Sequence, residues 1–189
     1  MGPMDGKQQT FALLDEWAPN PRQLEHDAAL NALIHRYFIS HGPATIDDFA
    51  RWSGLTKTAT KNSLHDDSSG LMSEEIGGVT YWLAADVTPT HPADHVQLLP
   101  GFDEFVLGYK NRDAVLHPDH ARKICPGNNG VFYPTVVLDG QIVGVWKRKI
   151  KRKQVDLTFD YFWPLHDDVH LVTEQATRYG TFLGLPAHI

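Results

Sequence analysis

The chain of 189 residues carries a single cysteine, Cys125, so no disulfide can form within it. It has no apolar run approaching the roughly 20 residues of a membrane span, and residues 1–10 lack the charged-then-apolar order of a signal peptide. A soluble, cytoplasmic protein is the expectation. No glycine-rich fingerprint opens a helix after a strand, which excludes the common phosphate-binding loops, and Gly127-Asn128-Asn129-Gly130 reads as a loop ahead of a strand. Zinc-motif spacing is absent despite 11 histidines. Of the close pairs, His91/His95 and His117/His120 fall in loops beside Pro92 and Pro118, while His166 and His170 can share a helical face near Asp167 and Asp168. Surface or capping roles are expected for these histidines, with no bound metal and no cofactor. Cys125, ahead of Pro126 and without a histidine neighbour, is not expected to be a nucleophile.

Positive charge is scarce too, with 17 Lys and Arg against 23 Asp and Glu, for a net charge of −6. Yet six of the seven residues 147–153 are basic: Lys147, Arg148, Lys149, Lys151, Arg152 and Lys153. Removing those six charges leaves the remainder at −12, so cationic charge is gathered at one place on an otherwise acidic molecule. A polyanion is the natural partner, because local patches act within a Debye length of roughly 8–10 Å. A solvated edge strand protected by lysines is the structural alternative.

With 42% hydrophobic residues the chain can bury a substantial core, and its length suits one large or two small domains, of which two are expected. Over residues 22–40, Leu30, Leu33, Ile34, Tyr37 and Phe38 recur at helical spacing. Gly42-Pro43 stops that helix, and Thr45 with Asp48 forms a capping box for a second one, ended by Ser53-Gly54. Thr56 then caps a third helix through about Leu64. Residues 71–76 and 79–83 flank Gly77-Gly78 as a hairpin. Three helices and a hairpin predict a winged helix, whose third helix would enter the major groove of double-stranded DNA. Its candidate DNA-contacting residues are Lys57, Thr58, Lys61, Asn62 and His65, with Lys57, Lys61 and His65 four apart on one face. Leu64 lies near that face and Asp66 and Asp67 repel phosphate, which keeps a protein-interaction role open.

Residues 84–100, with Pro89, Pro92 and Pro100, read as a connector, and residues 105–109 as a short strand. Residues 111–129 are rich in turn formers. Beyond them, residues 131–138 and 141–149 flank Asp139-Gly140, a type I′ hairpin signal, and Val155, Leu157, Phe159 and Tyr161 alternate with Asp156, Thr158, Asp160 and Phe162 as a strand with one buried face. The basic run lies at the bend between the last two strands, and a helix over about residues 166–179 covers the sheet.

Three segments carry a resemblance: SHGPATIDDFARWSGLT (residues 40–56), LLPGFDEFVLGYKNR (98–112) and GNNGVFYPTVVLDGQIVGVWKR (127–148). In order and spacing they are similar to the winged-helix family that includes the AlkZ-like DNA glycosylases, which excise alkylated bases and unhook interstrand crosslinks. The resemblance spans nearly the whole chain and corresponds to the family's C-terminal half, the last winged helix plus a β-barrel-like domain. It implies double-stranded DNA as partner, and a glutamine-apolar-glutamine or glutamine-apolar-aspartate catalytic triplet near the N-terminus. Gln8-Gln9-Thr10 does not satisfy that pattern, so the resemblance implies a catalytic N-terminal winged-helix domain missing from this chain.

Asp103 and Glu104 are adjacent acids among apolar residues and are the weak catalytic candidates for a stand-alone hydrolase. On a strand their side chains would diverge, which favours a structural role, such as tying Tyr109, Lys110 or Arg112 to the loop around Asn128 and Asn129. The expected fold is α+β: a leader (1–21), a winged helix (22–86), a linker (87–100) and a mostly antiparallel, β-barrel-like domain with a C-terminal helix (101–189).

Overall fold

The computed structural model describes residues 2–6, 8–88 and 95–189. Pro89, Pro92 and His91 of the expected connector and histidine pair lie outside the described residues. After a single helical turn, α1 (Leu14–Trp17), three helices follow: α2 (His26–His41), α3 (Ile46–Ser53) and α4 (Lys57–Asp66). Their boundaries follow from local chemistry. Thr45 Oγ1 accepts from the N–H of Asp48 while the Asp48 carboxylate accepts from the N–H of Thr45 at 2.8 Å, so both free amides at the start of α3 are covered. Gly54 ends α3 at φ +73°, a left-handed conformation that glycine adopts without a side-chain clash. Thr56 Oγ1 accepts from the N–H of Ala59 to start α4.

The helices bury Ile34, Tyr37, Phe38, Phe49 and Leu64 together, with Leu71 of the following hairpin closing the cluster. Each such side chain contributes about 1.5–3 kcal/mol by leaving water. Leu33, expected in this stripe, is instead exposed: Ile34, Tyr37 and Phe38 already fill the contact face, which leaves Leu33 outside it. The hairpin comprises β1 (Leu71–Ile76) and β2 (Val79–Ala84) in unbroken antiparallel register, turned by Gly77 and Gly78 at positive φ. Trp82 and Ala44 exchange backbone hydrogen bonds and fasten this hairpin to the turn before α3.

The second half is built on a mixed five-stranded sheet. Its strands are β3 (Val96–Leu99), β4 (Thr135–Leu138), β5 (Gln141–Ile150), β6 (Val155–Tyr161) and β7 (Ala187–His188), adjacent in that order. All neighbours are antiparallel except β6 and β7. Between β3 and β4 the chain forms α5 (Glu104–Leu107) and α6 (Ala121–Ile124), and the long helix α7 (Val169–Leu183) precedes β7. One sheet face packs Trp146, Val155 and Leu157 on Val172 and Ala176 of α7; the other packs Val137, Ile142 and Val145 on Val106, Leu116 and Ile124.

Two expectations need correction. The connector ends in a strand, β3, because Val96 is buried and its segment pairs with β4. The strand expected at residues 105–109 is the helical turn α5: Asp103 caps it, accepting from the N–H of Phe105 at 2.9 Å, and that local bond holds the backbone helical. One strand without a counterpart among the expected elements, β7, is two residues long and joins the otherwise antiparallel sheet in parallel, a pairing that the return of α7 creates.

Candidate nucleic-acid interface

The register of β5 and β6 sorts the basic run by the pleat. Arg148 stands opposite Leu157, whose face packs on α7, while Lys147 and Lys149 stand opposite Thr158 and Asp156 on the other face. The N–H of Lys151 donates to the carbonyl of Gln154 at 2.8 Å, which puts Arg152 and Lys153 at the tip of the hairpin. All six basic side chains are exposed, yet they are not equivalent. Arg148 donates to the Tyr179 hydroxyl, with its guanidinium 5.8 Å from that ring's centroid. Lys151 is paired with Asp156, which also accepts from Gln154, and those two bonds hold the Asp156 carboxyl below its usual range. The Lys147 ammonium lies 5.7 Å from the Tyr133 ring centroid. Lys149, Arg152 and Lys153 have no ion pair among the described residues.

Helix α4 resolves the ambiguity of its sequence stripe. Thr60, Ser63 and Leu64 are buried, Leu64 at 4% exposure, while Lys57, Thr58, Lys61, Asn62 and His65 all face solvent. The charge at its start is already partnered, for the Lys57 ammonium lies 2.6 Å from Asp47 Oδ1 and the Lys110 ammonium 2.7 Å from the same oxygen. Hydrogen bonds from Lys110 and then Lys57 hold the Asp47 carboxyl below its ordinary value. His65 contacts its neighbour Asp66 at 3.2 Å.

Asp103 and Glu104 are both engaged, and neither reaches the loop around Asn128 and Asn129. Asp103 caps α5, and Glu104 Oε2 accepts from the indole N–H of Trp52 at 3.1 Å and lies 3.6 Å from His41 Nε2. Glu104 thereby belongs to a seam between the two halves. Across it, the Tyr37 hydroxyl donates to the Gly108 carbonyl at 2.7 Å, the Tyr109 hydroxyl donates to the His41 carbonyl at 2.8 Å, and the Lys110 N–H donates to Asp48 Oδ1 at 2.6 Å. The capping box gave the only sequence signal at Asp48, and its second partner lies 62 positions away.

Beside the seam lies a cleft of about 630 Å³ lined by Asp48, Tyr81, Arg112, Cys125, Asn128 and Phe132. Arg112 donates from Nε to the Val106 carbonyl at 2.5 Å and stacks 5.2 Å from the Phe132 centroid, while its Nη2 is buried without a partner among the described residues. Burial, followed by the nearby Arg51 charge, lowers the Arg112 pKa from its ordinary value. The Cys125 thiol is free and buried. The His117 and His120 rings lie 5.8 Å apart, His95 pairs with Asp139 at 2.6 Å, and no group of three or more metal-ligating side chains converges among the described residues. No helix among them is long and apolar enough to cross a membrane.

The family model for AlkZ-like DNA glycosylases matches residues 1–182. The chain belongs to the AlkZ-like DNA glycosylase family. An interstrand DNA cross-link repair glycosylase from Streptomyces sahachiroi is 33% identical over 159 residues, covering 77% of this chain and 42% of that protein. The solved structure of the DNA glycosylase AlkZ from Streptomyces sahachiroi superimposes with a TM-score of 0.78 at 26% identity, covering all of this chain and 53% of that one. The chain thus spans about half the length of these AlkZ-like relatives. One run of the glutamine-apolar-aspartate pattern does stand away from the N-terminus, at Gln154-Val155-Asp156. There Val155 is buried in the sheet, and the Gln154 amide and Asp156 carboxylate bond to each other at 2.6 Å beside Lys151.

Proposed function

We propose that this chain is the duplex-holding portion of an AlkZ-like protein of alkylated-base or crosslink repair, corresponding to the C-terminal half of the family and working with a catalytic winged-helix domain that carries the glutamine triplet. The observation that carries this reading is the β5–β6 hairpin, whose tip presents Lys149, Arg152 and Lys153 unpaired and exposed in a chain of net charge −6. Ammonium and guanidinium groups already bound to carboxylates gain little from a phosphate; unpaired ones release condensed counterions when they meet it. Residues 22–86, with three helices and a hairpin held by the Ala44–Trp82 bridge, support a winged helix that presents Thr58, Lys61, Asn62 and His65 of α4 to the same ligand. A leader (1–21) and the sheet domain, which begins at β3 (Val96–Leu99) rather than after the expected linker of residues 87–100, complete the proposed organisation.

The test is binding of a fluorescent duplex of about 20 base pairs across a salt series. Affinity that falls steeply with salt is expected, and no binding at low salt would favour a protein-interaction role. Incubation with alkylated duplex separates holding from cutting. We expect no base release by this chain alone, since Asp103 and Glu104 are engaged in capping and in the seam. Release abolished by Asp103→Asn or Glu104→Gln would instead establish the stand-alone hydrolase.

A further inference from the structure

The sheet face turned away from α7 carries a groove of about 360 Å³ between the segment around Lys123 and Tyr133 and the strands β5 and β6. Its polar lining is Lys123, Lys147, Thr158 and Asp160, with the Tyr133 ring on one wall. Lys147 and Thr158 are direct cross-strand partners, so ammonium and hydroxyl project side by side. The Lys123 ammonium stands 4.9 Å from the Phe162 ring centroid, as the Lys147 ammonium stands over Tyr133. Neither lysine forms an ion pair among the described residues, Asp160 included.

We propose that this groove binds a backbone phosphate of duplex DNA, gripped between Lys123 and Lys147 with Thr158 donating its hydroxyl, and that it continues the track begun at the hairpin tip; this rests on the duplex-holding reading above. The reasons are geometric and electrostatic. A free lysine loses rotamer freedom when it grips an anion, whereas an ammonium already held over a ring has lost part of that freedom beforehand and still has N–H donors turned from the ring. The Tyr133 ring on the groove wall is faced by the Lys147 ammonium, so the groove suits a point anion better than a stacked base. Lys149 shares the sheet face with Lys147, so the free charges of the hairpin run along this surface toward Lys123, a residue 24 positions away in the chain and outside the basic run. Asp160 opposes the anion, and its side chain sets a limit on affinity.

The experiment compares Lys123→Ala, Lys147→Ala, Asp160→Asn and the tip variant Lys153→Ala in duplex binding over a salt series, with thermal melting to verify folding. Lys123→Ala and Lys147→Ala are expected to lower the salt slope by about 0.9 each, as a lost phosphate contact does, and to weaken binding several-fold. Asp160→Asn is expected to tighten binding. If Lys153→Ala lowers the slope while Lys123→Ala and Lys147→Ala keep the wild-type slope, the groove is not a phosphate site and the duplex-holding reading stands. Absence of duplex binding by the wild-type chain removes both.

Discussion

One carboxylate of Asp48 serves both halves of the molecule: Oδ2 accepts the N–H of Thr45 at 2.8 Å to cap α3, and Oδ1 accepts the N–H of Lys110 at 2.6 Å from beyond the sheet's first strand. Asp48 is 4% exposed, so water cannot replace either bond. Asp48→Ala therefore leaves the Thr45 Oγ1 cap in place but strands the N–H groups of Thr45 and Lys110, at about 1–2 kcal/mol for each. Urea denaturation should show a combined loss of about 2–4 kcal/mol, with Thr45→Ala costing only the cap.

Tyr37 supplies the second link, and it makes the seam sensitive to alkali. Burial, then the Asp48 charge, raises its pKa well above the usual tyrosine range, and burial raises Tyr109 as well. The folded state keeps these protons when the unfolded chain gives them up near pH 10, so this stability is complete below about pH 10 and declines as pH rises further. Urea midpoints should stay level from about pH 8 to 9.5 and then fall. Tyr37→Phe should flatten that fall and, by leaving the Gly108 carbonyl unpaired, cost about 1–3 kcal/mol at neutral pH.

The hairpin's charges should separate into two groups on mutation. Alanine at Lys149, Arg152 and Lys153 together should reduce the salt slope of duplex binding by about 2.7, or about 0.9 for each contact. Arg148→Ala should change it less, because Arg148 stands on the α7 face of the sheet and donates to the Tyr179 hydroxyl, and so should Lys151→Ala, because Asp156 pairs with that ammonium. Equal effects at all five positions would show that the intramolecular partners are released on binding.

Asp47 offers a gain of affinity. Its carboxylate pairs with both Lys57 and Lys110, and Asp47→Asn frees the two ammonium groups without removing them. If α4 meets the duplex, binding should tighten and its salt slope should steepen by up to about 0.9 per freed contact. Unchanged binding in anisotropy titrations would remove the N-terminal end of α4 from the interface.

Much of the framework was legible in local chemistry. The Thr45–Asp48 capping box, Gly54, the Gly77-Gly78 turn and the Asp139-Gly140 turn each depend on neighbours in sequence, and each stands where it was expected. Where a bond crossed a few residues in an unexpected direction, the reading failed: Phe105 and Val106 look like a strand until the Asp103 cap is seen. The two-residue β7 carries too little pattern to be read at all.

Sequence by itself determined that cationic charge is gathered at residues 147–153 and that a hairpin presents it, because composition and strand periodicity are properties of short stretches. Tertiary structure decided how each of those charges is held, since Tyr179, Asp156 and Tyr133 reach them only through strand register and helix packing. It also placed Lys123 beside Lys147, and bound Asp48 to Lys110 across 62 positions, pairings that no local pattern encodes.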